Sequence, residues 1–260
     1  MAGLLKSLFG GPAPLTLDPA AWAETLALPV FDGLSADEAG RLEELARQLL
    51  ADKACNGAAG HAVDSAMATR IAAFAALPVL NLGYEWYQGW NEIVVYPAEF
   101  VPERDVTDAY GIVHRVRQPL SGEAWEGGPL VLSWDDVFHS GGGEGYNVVI
   151  HEFAHKLDMR NGAVDGLPPL HSGMAVAEWS AVFNRAYGDF CRRVDAGEET
   201  LIDPYASESP AEFFAVLSEG FFEMPDVLHG DYPAVYELMR RFYKQDPLRR
   251  LEQMNDLSAT

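Results

Sequence analysis

The chain is poor in basic residues and in cysteine, and it has no long apolar run. Its 260 residues carry 18 Lys and Arg against 39 Asp and Glu, a formal net charge of −21. A sequence-independent grip on nucleic acid needs clustered Lys and Arg against phosphates, so a direct nucleic-acid ligand is excluded. The same count excludes a polybasic membrane-surface role. No run approaches the roughly 18 apolar residues of a membrane span, and the stretch holding Leu4, Leu5, Leu8 and Phe9 is too short for the apolar region of a signal peptide. Cys55 and Cys191 are the two cysteines, and neither sits in a C-x-x-C pair. They cannot form a disulfide framework. They read as core thiols of a reducing, cytoplasmic compartment, with one isolated disulfide as the alternative. Internal repeats and low-complexity tracts are absent. The glycine-rich run from Ser140 to Gly145 lacks the Lys and the flanks of a phosphate loop.

Apolar residues are plentiful. They make up 48% of the chain, and 11% of all residues are aromatic, which excludes disorder and supplies a core for one domain or two small ones. The spacing of Leu42, Leu45, Leu49 and Leu50 predicts a helix over 37–50, with Ser35 as its cap. An Ala-rich helix follows over 62–76, ended by Pro78. Short apolar runs over 91–96, 112–117 and 129–134 read as strands. A strongly apolar helix spans 146–160, stopped by Asn161-Gly162. Further helices are expected over 176–194, 210–223 and 233–243. Helices, then a few strands, then helices imply an α+β fold rather than alternating βαβ units.

The helix over 146–160 contains His151-Glu152-Phe153-Ala154-His155, an H-E-x-x-H motif. Positions i and i+4 share a helix face, so both imidazoles can reach one ion. Glu152 lies about 100° around the helix from His151 and can address a water beside that ion. A pair of core histidines with a surface Glu is the plain alternative, but two His and a Glu in so apolar a helix are costly to bury without partners. A catalytic zinc usually has three protein ligands and an open position. The longer motif with Gly and a third His would need them at 158 and 161, where this chain has Asp158 and Asn161.

The remaining candidates for a third ligand are His171, Glu212, Glu219 and Asp165. Glu212 is the best of them, because the stretch from Ala211 to Phe222 is otherwise nearly all apolar, and an inward carboxylate there needs a cation or donors. Its alternative is local: Ser209 and Glu212 form an S-x-x-E capping pattern with Pro210 at the first helical position. Glu219, two turns further along the same face, reads either as an acceptor behind a ligand histidine or as a solvated helix end. Asp158, three residues after His155, has the same two readings. The strand over 130–134, just before the motif helix, reads as the sheet edge that an extended substrate pairs with.

Two blocks carry a family resemblance. They are His151 to Asp158, and Pro204-Tyr205-Ala206 through Pro210 to Glu219. Both resemble the Mlc titration factor A family of bacterial glucose-regulated zinc metallopeptidases, and the catalytic domain of anthrax lethal factor is similar in these blocks. The match extends through Leu77 to Leu80, Val94 to Pro97, Gly128 to Trp134 and Tyr243 to Pro247. The first 70 residues match only loosely. The resemblance implies a zincin-like fold, with a small mixed sheet against the H-E-x-x-H helix. It implies Zn2+ held by His151, His155 and Glu212, with Glu152 as general base. Tyr205 matches a tyrosine seven residues before the ligand Glu, placed to assist the transition state. Pro204 before it departs from the lethal-factor pattern and stiffens the loop, and a buried structural tyrosine is the alternative. The implied layout is a flexible stretch over 1–20, a helical N-terminal region over 21–75, a catalytic domain over 76–250 and a tail over 251–260. The implied activity is aminopeptidase-like hydrolysis of small peptide substrates, alongside binding of a DNA-binding repressor of the Mlc type. The competing reading is a regulatory binding protein whose zinc chemistry is secondary.

Overall fold

The computed structural model describes residues 15–258, apart from 102, 108–112 and 118–119, and side chains other than those of 102–119 and 255–258. The expected flexible start therefore lies largely outside the described residues, as does Ile112 of the second expected strand. Helix α1 (Pro19–Leu26) is capped by Asp18, whose carboxylate accepts from Ala20 and Ala21 N–H. Helix α2 (Ala36–Asp52) opens with a complete capping box between Ser35 and Glu38. Strand β1 (Ala54–Gly57) leads to α3 (Ser65–Ala76), which is capped by Asp64 and buried from Ala68 to Ala76 apart from Arg70. Strand β2 (Glu92–Tyr96) precedes an antiparallel ribbon of β3 (Glu103–Thr107) and β4 (Val113–Arg117). Strands β5 (Gly122–Ala124) and β6 (Leu130–Ser133) complete the set.

The four-stranded sheet has the order β1-β2-β6-β5, with β1, β2 and β6 parallel and β5 antiparallel. The fold is thus mixed α and β, as expected, around a small mixed sheet. Two particulars differ from expectation. The stretch expected to be helical contributes β1, which the run Ala54-Cys55-Asn56-Gly57 does not announce because it lacks β-branched and aromatic residues. The strand expected at the edge, β6, is interior. It pairs with β2 on one side and β5 on the other, with the register Leu130 to Ile93 and Leu132 to Gly122. Leu130, Val131 and Leu132 are all buried, and a continuous apolar run without alternation marks a strand covered on both faces. The edge is β5.

Trp134, also expected in that strand, opens α4 (Trp134–His139), because Ser133 caps it and Asp135 and Asp136 occupy its first turn. Helix α5 (Val148–Asp158) carries the motif and ends in a short 3-10 turn stopped at Gly162, which holds a left-handed φ of 91°. Helix α6 (Val176–Asp195) is followed by a 3-10 turn over Pro204–Ser207 and by α7 (Pro210–Glu223). Then come α8 (Pro225–Asp231), α9 (Pro233–Tyr243) and α10 (Pro247–Ser258). The last of these extends into the stretch expected to be a tail.

Helix α5 lies at the centre. It touches β5, β6, α3, α4 and, most extensively, α7. Phe153 anchors its inner face, with its ring 4.8 Å from that of Tyr87 and 5.6 Å from that of Trp90. Two buried lysines brace the same corner. Lys53 donates to the Tyr87 and Trp90 carbonyls at 2.6 Å each, and Lys156 donates to Trp125 O at 2.6 Å and Gly128 O at 2.9 Å. Their ammonium groups lie 4.4 and 4.7 Å from the Trp90 ring centre. Lys156 thereby ties α5 to the β5–β6 turn. Phe153→Ala removes a fully buried ring and is expected to lower stability by about 3–5 kcal/mol in urea unfolding of the metal-free protein; a loss below about 1 kcal/mol would show that this corner is not tightly packed.

Candidate metal centre

Helices α5 and α7 bring their polar residues together on facing sides. Asn147 caps α5 by accepting from Ile150 N–H at 3.0 Å, which places His151 and His155 on the α7 side. Ser209 caps α7 by accepting from Glu212 N–H at 3.1 Å. The Glu212 side chain is not spent on that cap. Its Oε2 lies 3.0 Å from His151 Nε2 and 3.3 Å from His155 Nε2, and the two imidazole nitrogens are 3.2 Å apart. All three ligand atoms fall within 4.8 Å of one another.

The protonation pattern makes this convergence informative. His151 Nδ1 faces Glu219 Oε1 at 2.8 Å. A carboxylate only accepts, so Nδ1 carries a proton, and in the neutral imidazole Nε2 is the nitrogen that presents a lone pair. That lone pair, another imidazole and the Glu212 carboxylate then point at one place, an arrangement that calls for a cation. Without an ion, the two carboxylates favour the fully protonated imidazole instead. Burial disfavours charge on His151, yet the Glu212 and Glu219 carboxylates hold it well above the ordinary imidazole range. Burial raises Glu212 too, but the two histidines hold it well below the ordinary carboxylate range. Two nitrogens and one oxygen are a donor set suited to zinc and to other borderline divalent ions.

Glu152 is buried and borders a cavity of about 230 Å3 lined also by Leu120, Tyr146, Val148, Tyr205 and Val216. Its Oε2 has no hydrogen-bond partner, and burial pushes its carboxyl up to about 7. Gly122 on β5 lies against it: a Cβ at that position would stand 2.4 Å from Glu152 Oε1. Tyr205 lines the same cavity, with its ring 6.1 Å from that of His151, and it is 46% exposed rather than a buried structural tyrosine.

The other candidates separate clearly. Glu219 is buried and supports His151. Asp158 is fully buried and accepts from Gly166 N–H at 2.8 Å; its Oδ1 and His155 Nδ1 are both without partners, so no hydrogen bond joins them. His171 is elsewhere, accepted by the Phe242 carbonyl at 2.8 Å and stacked on the Phe242 ring. Asp165 accepts from Leu167 N–H in its own turn. Sequence reasoning missed Gly122, Asn147 and Glu223. Asn147 directly before an apolar helix is a legible cap, and Glu223 completes an i, i+7, i+11 stripe with Glu212 and Glu219. Gly122 leaves no such signal. Cys55 on β1 and Cys191 on α6 are free thiols, and no helix of the described residues is long and apolar enough to cross a membrane.

Two histidines one turn apart, a carboxylate from a second helix and a buried glutamate after the first histidine form the kind of centre that metallopeptidases carry. The chain belongs to the glucose-regulated metallo-peptidase M90 family, whose model matches residues 14–244. It is 41% identical over 259 residues to Mlc titration factor A of Yersinia pestis (strain Pestoides F), covering 98% of this chain and 96% of that protein. The identity and coverage are the same for Mlc titration factor A of Yersinia pseudotuberculosis serotype O:1b (strain IP 31758).

Burial raises Asp158 from 3.8 to about 6. The fold therefore favours its protonated form, and the stability this contributes is full below about pH 4 and is lost as the pH rises through 6. Asp158→Asn removes that dependence. Relative to the variant, the metal-free wild type is expected to lose on the order of 2 kcal/mol between pH 4 and pH 7. A difference that stays constant across that range in urea unfolding would contradict a raised Asp158.

Proposed function

We propose that this chain is a zinc-dependent peptidase in which His151, His155 and Glu212 hold the metal. The convergence of these three ligand atoms beside the cavity that Glu152 borders is the observation that carries the reading. Bound there, zinc supplies a Lewis acid that acidifies water and polarises a scissile carbonyl. Glu152, raised toward neutrality by burial, takes a proton from the attacking water and delivers it to the leaving amine. Tyr205, on the cavity wall beside His151, donates to the developing oxyanion. Glu219 fixes the His151 ring through Nδ1. Asp158 is buried near His155 without being its hydrogen-bond partner.

The cavity suits small peptide substrates, with Leu120, Val148 and Val216 as its apolar wall, and we take the activity to be aminopeptidase-like. Strand β5 has a strand partner on one side only among the described residues, so an extended peptide pairs there rather than on β6. The catalytic unit of this reading is 76–250, with β1 added to its sheet, in a cytoplasmic protein. A second reading rests on the relatives' name, Mlc titration factor A, and on the net charge of −21. In that reading the chain also binds a DNA-binding repressor of the Mlc type through its acidic surface.

Glu152→Gln is expected to keep zinc, measured by metal analysis, and to lower kcat on short peptides about a thousandfold. Full activity in this variant, or chelator-resistant activity in the wild type, would refute the peptidase reading. Repressor binding that survives unchanged in the same variant would make the binding role independent of the chemistry. Gly122→Ala inserts a methyl group against the Glu152 carboxylate. Its expected signature is a fall in kcat of about a hundredfold at unchanged zinc content, and unchanged kcat would mean that Glu152 is not held by this contact.

A further inference from the structure

Behind the proposed ligands a second carboxylate reaches the same histidine indirectly. Glu223, at the end of α7, is buried and accepts through both oxygens, from Asn147 Nδ2 at 2.9 Å and from Gly143 N–H at 2.7 Å. Asn147 in turn donates its backbone N–H to Glu219 Oε2, while Glu219 Oε1 accepts from His151 Nδ1. Glu223 therefore stands three hydrogen bonds from the imidazole. It does not line the reaction cavity. It borders a separate cavity of about 270 Å3, lined also by Pro29, Asp32, Gly143, Asp226 and Arg250.

We infer that Asn147 and Glu223 are positioning residues for His151, acting through Glu219 to set the orientation of the imidazole. This rests on the reading of His151 as a metal ligand. The physical argument is one of satisfied donors. Asn147 engages three of its polar groups here: Oδ1 caps Ile150 N–H, Nδ2 grips Glu223, and its own N–H holds Glu219. A Glu219 side chain held at both oxygens has one orientation, and so has the ring it accepts from. The glycine-rich run from Ser140 to Gly145 gains a role in the same way: Gly143 lends its N–H to the Glu223 carboxylate, with a left-handed φ of 79°. The loop grips a carboxylate of its own chain, not a phosphate.

Two variants address the relay without touching a proposed ligand. Asn147→Ser keeps a good helix cap but loses the Nδ2 arm. Glu223→Gln keeps size and shape but sets an amide N–H against one of two donors. Zinc affinity is read by competition with a chromogenic chelator, and thermal unfolding of the metal-free protein is read alongside. Each variant is expected to weaken zinc binding about tenfold, and the double variant is expected to be no weaker than the poorer single one, as for residues on one path. A lowered melting temperature with unchanged zinc affinity would reduce both residues to a structural role and overturn the inference. Should Glu223→Gln not fold, Asn147→Ser decides alone, because serine preserves the cap. His151→Ala separates the two layers. If it leaves zinc affinity unchanged, the ligand reading falls and the relay with it. If it abolishes binding while the relay variants bind as the wild type does, the relay alone falls.

Discussion

The contact between His151 Nδ1 and the Glu219 carboxylate joins the two central helices and decides how the site is charged. It holds a proton on Nδ1 and leaves Nε2 facing His155 and Glu212. It also bridges α5 and α7, with Glu219 two turns along from Glu212 on the same face. The caps at Asn147 and Ser209 are consistent with this arrangement, since each begins its helix within a turn of a residue of the centre.

Such a centre is expensive to build. Among the described residues the buried carboxylates are Glu152, Asp158, Glu219 and Glu223, and all four lie on α5 or α7. Burial raises every one of them. An apolar helix that carries several desolvated carboxylates has to offset them with donors or with a cation. The donors are visible: His151, the Asn147 backbone and side chain, and the Gly143 and Gly166 amides. They satisfy Glu219 and Glu223 and half of Asp158. Glu152 Oε2 has none, and it is the group that the proposed chemistry leaves free to exchange protons.

The sequence carried the centre more clearly than it carried the sheet. H-E-x-x-H is local, and helical periodicity alone puts both histidines on one face. Glu212 and Glu219 were legible because carboxylates are conspicuous in an otherwise apolar helix. The bounds of α7 and α9 agree with expectation because Pro opens each and local signals end them. The strands were harder. Strand β1 is four residues long, with little β propensity, and its place is set by pairing with β2. Strand β6 reads as a strand, but its position between β2 and β5 is a property of the whole sheet. Gly122 is silent in sequence for the same reason: its importance lies in the approach of a side chain thirty residues on. The separation of His171 from the centre likewise depends on α9, which provides the carbonyl and the ring it rests on.

The charge of the chain can now be divided. Four carboxylates are buried on the two central helices and Glu212 is half-buried, so most of the 39 acidic residues stand elsewhere. The buried ones are held partly protonated or hydrogen-bonded and contribute little to the field outside. The outer acids therefore set the long-range potential, and that potential favours a basic partner over an anionic one. Attraction of this kind fades once the Debye length falls to a few ångströms, whereas the interior network, screened by protein, does not respond to salt in the same way. Chemistry in the centre and recognition at the surface thus answer to different variables. In the proposed reading one depends on the metal and on protons delivered to buried groups, and the other on ionic strength, so the two would not constrain each other.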